Sequence, residues 1–144
     1  MKPLFFAVTI GLAMAGLHSA AMAACKQPST RVSTSTALST LLTGKTVCVP
    51  SSKPGWTWEW QELHQAPNIL VDYKKGPGHA VDPSKPVGTW TITGTGTAGV
   101  RAVVAHDYGG GQSYTYTVWD NGNGTHSFCS ANPEIIATIK SGPC

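Results

Sequence analysis

Apolar residues recur along this chain at two different spacings. In "STALSTLLTG" Ala37, Leu38, Leu41 and Leu42 fall at helical spacing, with Ser or Thr available to cap the start and Gly44 to end it. The spacing predicts one short helix. Beyond it the period shortens towards two. "KTVCV" (45–49) is halted by Pro50, residues 56–64 alternate, "NILVDY" (68–73) is a compact apolar run, and "GTWTIT" (88–93) alternates again. "VRAVVAH" (100–106), "SYTYTVW" (113–119), "HSFC" (126–129) and "EIIATIK" (134–140) complete the set, after a polar lead from Lys26 to Ser33. Short strands separated by Gly, Pro and Asn turns predict a mostly β protein. The expected form is an antiparallel barrel or sandwich of about seven or eight strands with one short N-terminal helix.

Two connections are readable. "DNGNGT" (120–125) offers two Asn-Gly pairs between strand-like segments, the signal of a tight hairpin. "KKGPGHAVDPSKPVG" (74–88) carries three prolines and three glycines and reads as a long loop, a length at which loops are often functional.

The start of the chain has a separate logic. Met1-Lys2 is a short positive start, Leu4 to Leu17 is mostly apolar, and Ala21-Met22-Ala23 is a small-x-small cleavage signal. Residues 1–23 therefore read as a secretory signal peptide, and 24–144 as a single β-rich domain that is periplasmic or extracellular. No later stretch reaches the roughly 18 apolar residues of a membrane helix. Met22-Ala23-Ala24-Cys25 also resembles a bacterial lipoprotein box with methionine in place of leucine, which would anchor Cys25 to lipid. Cysteine arithmetic favours the soluble form, because lipidation would leave an odd thiol.

Four cysteines, Cys25, Cys48, Cys129 and Cys144, all lie beyond the signal, and an even number in an exported small protein favours two disulfides. Three pairings are available. Cys25 and Cys144 stand at the two mature ends, while Cys48 and Cys129 sit in strand-like surroundings, so the expected pairing is Cys48 with Cys129 and Cys25 with Cys144. No C-x-x-C spacing supports a redox or zinc role.

Charge removes one class of partner. Without Lys2 the chain holds nine Lys plus Arg against seven Asp plus Glu, a net charge near +2, and the basic residues are scattered. That is no footprint for nucleic acid.

The densest chemistry lies in "GWTWEWQELH" (55–64). On a strand Trp56, Trp58 and Trp60 share one face with Glu62 and His64, and Thr57, Glu59 and Gln61 share the other. This is an aromatic floor ending in an acid and an imidazole. It fits the mouth of a ligand-holding barrel, and it fits a core strand that emerges into solvent at Glu62. "SYTYTVW" repeats the pattern, with Tyr114, Tyr116 and Val118 on one face and Thr115, Thr117 and Trp119 on the other. His79, His106, His126, Asp72, Asp82 and Asp107 are further titratable groups, with no spacing that compels a metal or catalytic site. No cofactor is implied.

The segments "GKTVC", "WQELH", "DYKKGP", "VDP", "VGTW", "SYTYTV" and "SFC" together resemble small exported proteobacterial proteins of unassigned function. "GTW" (88–90) resembles the Gly-x-Trp of lipocalin and avidin-like barrels. There it lies near the barrel's start and here it follows several strand candidates, so no site residue is carried across.

The expected role is non-catalytic binding of a small molecule or a protein, through Trp56, Trp58, Trp60, Glu62, His64, Tyr114 and Tyr116. Two other roles stay open. One is a protein-interaction module, an inhibitor or envelope accessory, using the 74–88 loop. The other is a metal-dependent or acid/base hydrolase centred on Glu62 and His64.

Overall fold

A computed structural model describes Cys25 and residues 29–73, 84–96, 100–131 and 133–144. The signal peptide read over 1–23, the mature start at Ala24, and His79 and Asp82 of the long loop lie outside the described residues. In chain order the elements are β1 (Thr30–Arg31), α1 (Ser35–Leu42), β2 (Lys45–Pro50), β3 (Trp58–Gln65), β4 (Ile69–Tyr73), β5 (Ser84–Thr93), β6 (Val103–Asp107), β7 (Ser113–Asp120), β8 (His126–Cys129) and β9 (Ile135–Ser141).

Strands β2 to β9 form an up-and-down antiparallel barrel: each pairs with the next, and β9 returns to pair with β2. All eight strand candidates are present, and the barrel is the form adopted. The two-residue β1, which lies within the polar lead and carries no alternation of its own, adds to the free edge of β7 beyond the end of β6.

The helix forms where its spacing predicts. Thr34 caps it, its hydroxyl oxygen accepting the amide of Ala37 at 3.1 Å. Leu38 and Leu42 are fully buried and enter the barrel's apolar core with Val47, Leu70, Val104 and Val118. Lys45 faces Ser141, Gln65 faces Ile69, Thr93 faces Val103 and Asp120 faces His126, so these strand ends gather at the end that α1 closes. Pro50 and Trp58, Tyr73 and Ser84, and Asp107 and Ser113 gather at the other.

In the β7–β8 hairpin Gly122 and Gly124 take φ of 73° and 83°, the left-handed conformation that the Asn-Gly pairs supply. Asp120 Oδ1 accepts the amide of Gly122 at 2.8 Å and closes the turn.

Two expectations are corrected. The loop read over 74–88 ends earlier, because β5 begins at Ser84 and residues 84–88 pair with β4. Pro86 lacks an N–H for the ladder, yet it sits opposite Val71 where the register shifts between Leu70 and Val71, a place where a bulge tolerates proline. The disulfides join Cys25 to Cys129 and Cys48 to Cys144, in place of the expected pairing. Cys48 is on β2 and Cys129 on β8, with β9 between them. Strands two apart stand roughly 9–10 Å from each other, beyond the reach of one bridge. The Cys144 amide instead donates to Gln61 Oε1 at 2.8 Å, which lays the C-terminus beside Cys48. Two disulfides fit an oxidising compartment. No helix among the described residues is long and apolar enough to cross a membrane.

Candidate functional site

Residues paired across neighbouring strands share a face, so register shows what fills the barrel. Val47, Glu62 and Asp72 lie abreast, as do His64 and Leu70, and Trp90, His106 and Tyr114. The inner face of β3 thus delivers Glu62 and His64 into the lumen, as its alternation requires. Glu62 is 3% exposed and His64 is fully buried. The other face does what alternation asks of it: Glu59 binds Lys53 Nζ at 2.7 Å outside the barrel, and Gln61 receives the C-terminus.

The end opposite α1 opens into a cavity of about 330 Å³. Trp60, Tyr108, Tyr114, Tyr116 and Ile135 line it, with Glu62, Asp72 and Gln112 as its polar members. Tyr114 stacks on Tyr116 at 6.4 Å between centroids, and Tyr108 meets Tyr114 edge-on at 6.0 Å. Tyr108 reaches this place because the chain turns sharply after β6, its amide bonding to Gln112 O at 2.9 Å. Gly88 permits the turn: a Cβ there would collide with the carbonyl of Asp107, so only glycine lets β5 pass beneath it. Two residues on, Trp90 is buried in the core and its indole N–H donates to Gln65 O at 3.1 Å.

Beneath the cavity lies a buried polar chain. The Tyr108 hydroxyl donates to Glu62 Oε1 at 3.1 Å, and His106 Nδ1 lies 3.3 Å from both that oxygen and the hydroxyl. His106 Nε2 faces His64 Nε2 at 2.9 Å. If His106 Nδ1–H points to the Glu62–Tyr108 pair, the His106 Nε2 lone pair accepts from His64 Nε2–H, an assignment made from the network. His64 Nδ1 is then a bare acceptor, and it is buried with no hydrogen-bond partner.

Burial sets the protonation of this chain. It pushes His64 down to about 3, with His106 beside it adding to the effect, and pushes His106 down to about 4. It raises the Glu62 carboxyl to about 7, against the Tyr108 hydrogen bond and with help from Asp72. Tyr108 is held well above the usual phenol range, first by burial and then by Glu62. The contact of His106 with Glu62 has the geometry of an ion pair, but 3.3 Å is long for a charge-assisted bond. The two groups are in contact, each bonded to the Tyr108 hydroxyl, and burial drives both towards neutrality.

Of the residues singled out in the sequence, Trp60, Glu62, Tyr114 and Tyr116 meet in the cavity wall, and His64 lies beneath them. Trp58 is half-buried at the start of β3 and does not line the cavity. Trp56 precedes the strand and sits under Lys53 Nζ at 5.1 Å, outside the group. His106 and Asp72, noted in the sequence only as further titratable groups, join the site, and Tyr108 enters it without having been singled out. His106 shares its face with Val104 on an alternating strand, a signal present in "VRAVVAH". Tyr108 lies in a turn, where no periodicity points.

A wider depression, about 700 Å³, lies against α1 and β9, lined by Leu41, Lys45, Ile139, Lys140 and His126. It is larger than the open-end cavity, but it gathers no buried cluster of ionisable groups among the described residues. No family model, curated protein or solved structure matches this chain.

Proposed function

We propose that this is an exported, non-catalytic binding protein that holds a small molecule in the open end of its barrel. In this reading residues 1–23 direct export to the periplasm or beyond, and residues 24–144 form the single binding domain. The observation that carries it is the contrast of ends: α1 plugs one with leucines, and the other opens over four aromatic rings and a polar floor. Apolar walls with a few polar groups that fix orientation are the usual make-up of a small-ligand site. A volume of about 330 Å³ suits a ligand of one or two rings.

The test is native mass spectrometry of protein recovered from the periplasm. An adduct that denaturation removes is expected, together with its loss in Trp60→Ala and Tyr114→Ala and its retention in Trp56→Ala. A bare wild-type protein whose tryptophan emission also ignores a panel of aromatic and amine ligands would remove the support for this reading.

A further inference from the structure

His64, His106 and Glu62 come together across the lumen, not along the sheet: β4 and β5 separate β3 from β6, and 42 residues separate the two histidines. Each of the three offers one ligand atom, and these atoms all lie within 4.8 Å of one another. We propose that the trio is a binding site for one divalent transition-metal ion of zinc's class. This goes beyond the proposed ligand in the cavity above and does not depend on it.

Four observations carry the proposal. First, a tetrahedral ion with metal–nitrogen bonds of about 2.0–2.1 Å holds two imidazole nitrogens about 3.3 Å apart. The two Nε2 atoms stand at 2.9 Å, so ring shifts of a few tenths of an ångström admit the ion between them. Glu62, whose Oε1 lies 3.3 Å from His106 Nδ1, joins it by a larger swing of its carboxylate. Second, two imidazoles and one carboxylate are the donor set of zinc, copper, iron or nickel, and not of calcium or magnesium, which prefer oxygen alone. Third, the carboxylate has an outer partner. The Tyr108 hydroxyl donates to Glu62 Oε1, the kind of outer partner that fixes ligating groups in metal sites. Fourth, as a purely structural element the trio is poor. The two rings satisfy each other once only, and His64 Nδ1 is buried with no hydrogen-bond partner, a desolvation cost that an apolar pair would avoid.

Glu62 also lines the cavity, so the ion reaches the trio from the open end. The other group with metal-like spacing, Cys25, Cys129 and Glu134, is set aside because both of its sulfurs are joined in a disulfide.

The experiment uses the untagged, disulfide-bonded protein, stripped with chelator and titrated with ZnCl₂ against a chromophoric zinc chelator, with stoichiometry read by native mass spectrometry. One Zn²⁺ per chain is expected, undisplaced by excess Mg²⁺ or Ca²⁺. Glu62→Gln and His106→Gln, which each remove a ligand, should weaken binding by more than the roughly ten- to hundredfold loss typical of an outer partner. His126→Gln, which touches none of the trio, should leave it unchanged.

Circular dichroism establishes that each variant is folded, and a second readout needs no variant at all. The side-chain nitrogen resonances of His64 and His106 in the wild-type protein should shift on adding Zn²⁺, with those of His126 unmoved. No zinc retained at tenfold excess overturns the proposal, as does equal affinity in folded His106→Gln and Glu62→Gln. Resonances of His64 and His106 that ignore the ion overturn it as well.

Discussion

At the closed end of the barrel, Leu38 and Leu42 of α1 pack among Val47, Leu70, Ala102 and Val104, all completely buried. Beneath the four aromatic rings of the open end the lumen holds Glu62, His64 and His106, nearly as buried, with Glu62 abreast of Val47 and His64 abreast of Leu70. Both ends are formed by the same strands with the same alternation. One spends its buried positions on apolar contact, which stabilises. The other spends them on groups whose burial must be compensated by hydrogen bonds, one of which is missing. The difference teaches that an apolar plug and a buried polar chain adjoin within one lumen, so α1 and the aromatic mouth can be perturbed with distinct readouts.

The largest effect should come from the closed end. Leu42→Ala is expected to lower stability by about 2–5 kcal/mol in urea unfolding, through lost burial and a cavity, while zinc affinity of the folded fraction is unaltered. A loss of zinc affinity of the same order would mean that the two ends are not separable.

The open end should dominate the acid response of the metal-free protein. His64 and His106 have folded pKa values of about 3 and 4 against 6.5 for the free group, so their contribution is present above pH 6.5 and lost as pH falls towards 4. Glu62, raised from 4.5 to about 7, acts in the opposite sense: its contribution is present below pH 4.5 and lost as pH rises through 7. Between pH 6.5 and 4.5 two protons oppose one, so stability should fall by about 1.4 kcal/mol per unit of acidification, and more steeply below 4.5. Urea midpoints measured with chelator present check this, and His64→Gln should flatten the curve.

Gly88→Ala should cost about 1–3 kcal/mol, because the new methyl displaces the Asp107–Tyr108 backbone. It should also weaken zinc binding by moving Tyr108 off Glu62, a coupling that titration of the variant measures. Thr34→Ala removes the helix cap and should cost about 1 kcal/mol, seen in thermal unfolding with no change at the open end. Tyr114→Ala, at an exposed ring, should change stability by less than about 0.5 kcal/mol, so that any loss of the ligand adduct is attributable to contact.

Much of this arrangement is legible in the sequence, for physical reasons that differ by element. Period two in 56–64 correctly sends Glu62 and His64 to one face, because a strand with one buried face leaves its side chains no alternative. The helix and the Asn-Gly hairpin follow from local capping and backbone preference. Long-range facts are not local. That His106 meets His64 depends on strand order and closure, and no spacing of residues 42 apart encodes either. Tyr108 is placed by a turn that Gly88 permits from twenty residues upstream, and the cysteine partners are set by which strands lie side by side. Trp56 shows the opposite failure: its alternation with Trp58 extends past the point where the strand begins.

Closure has a consequence for how the molecule opens. Among the described residues, the barrel is joined by hairpin neighbours everywhere except between β2 and β9, where Lys45 to Cys48 meet Thr138 to Ser141. Neighbouring strands re-form quickly after a fluctuation, whereas a seam between distant parts of the chain must recover a large loop entropy. The Cys48–Cys144 bridge starts on β2 and ends just past β9, so it latches that seam and no other. In the oxidised protein the amides of β9 should exchange with solvent only as fast as the whole barrel unfolds. With this bridge reduced, only the β2–β9 ladder holds the ring closed, and the same amides should exchange by local unzipping before the sheet is lost.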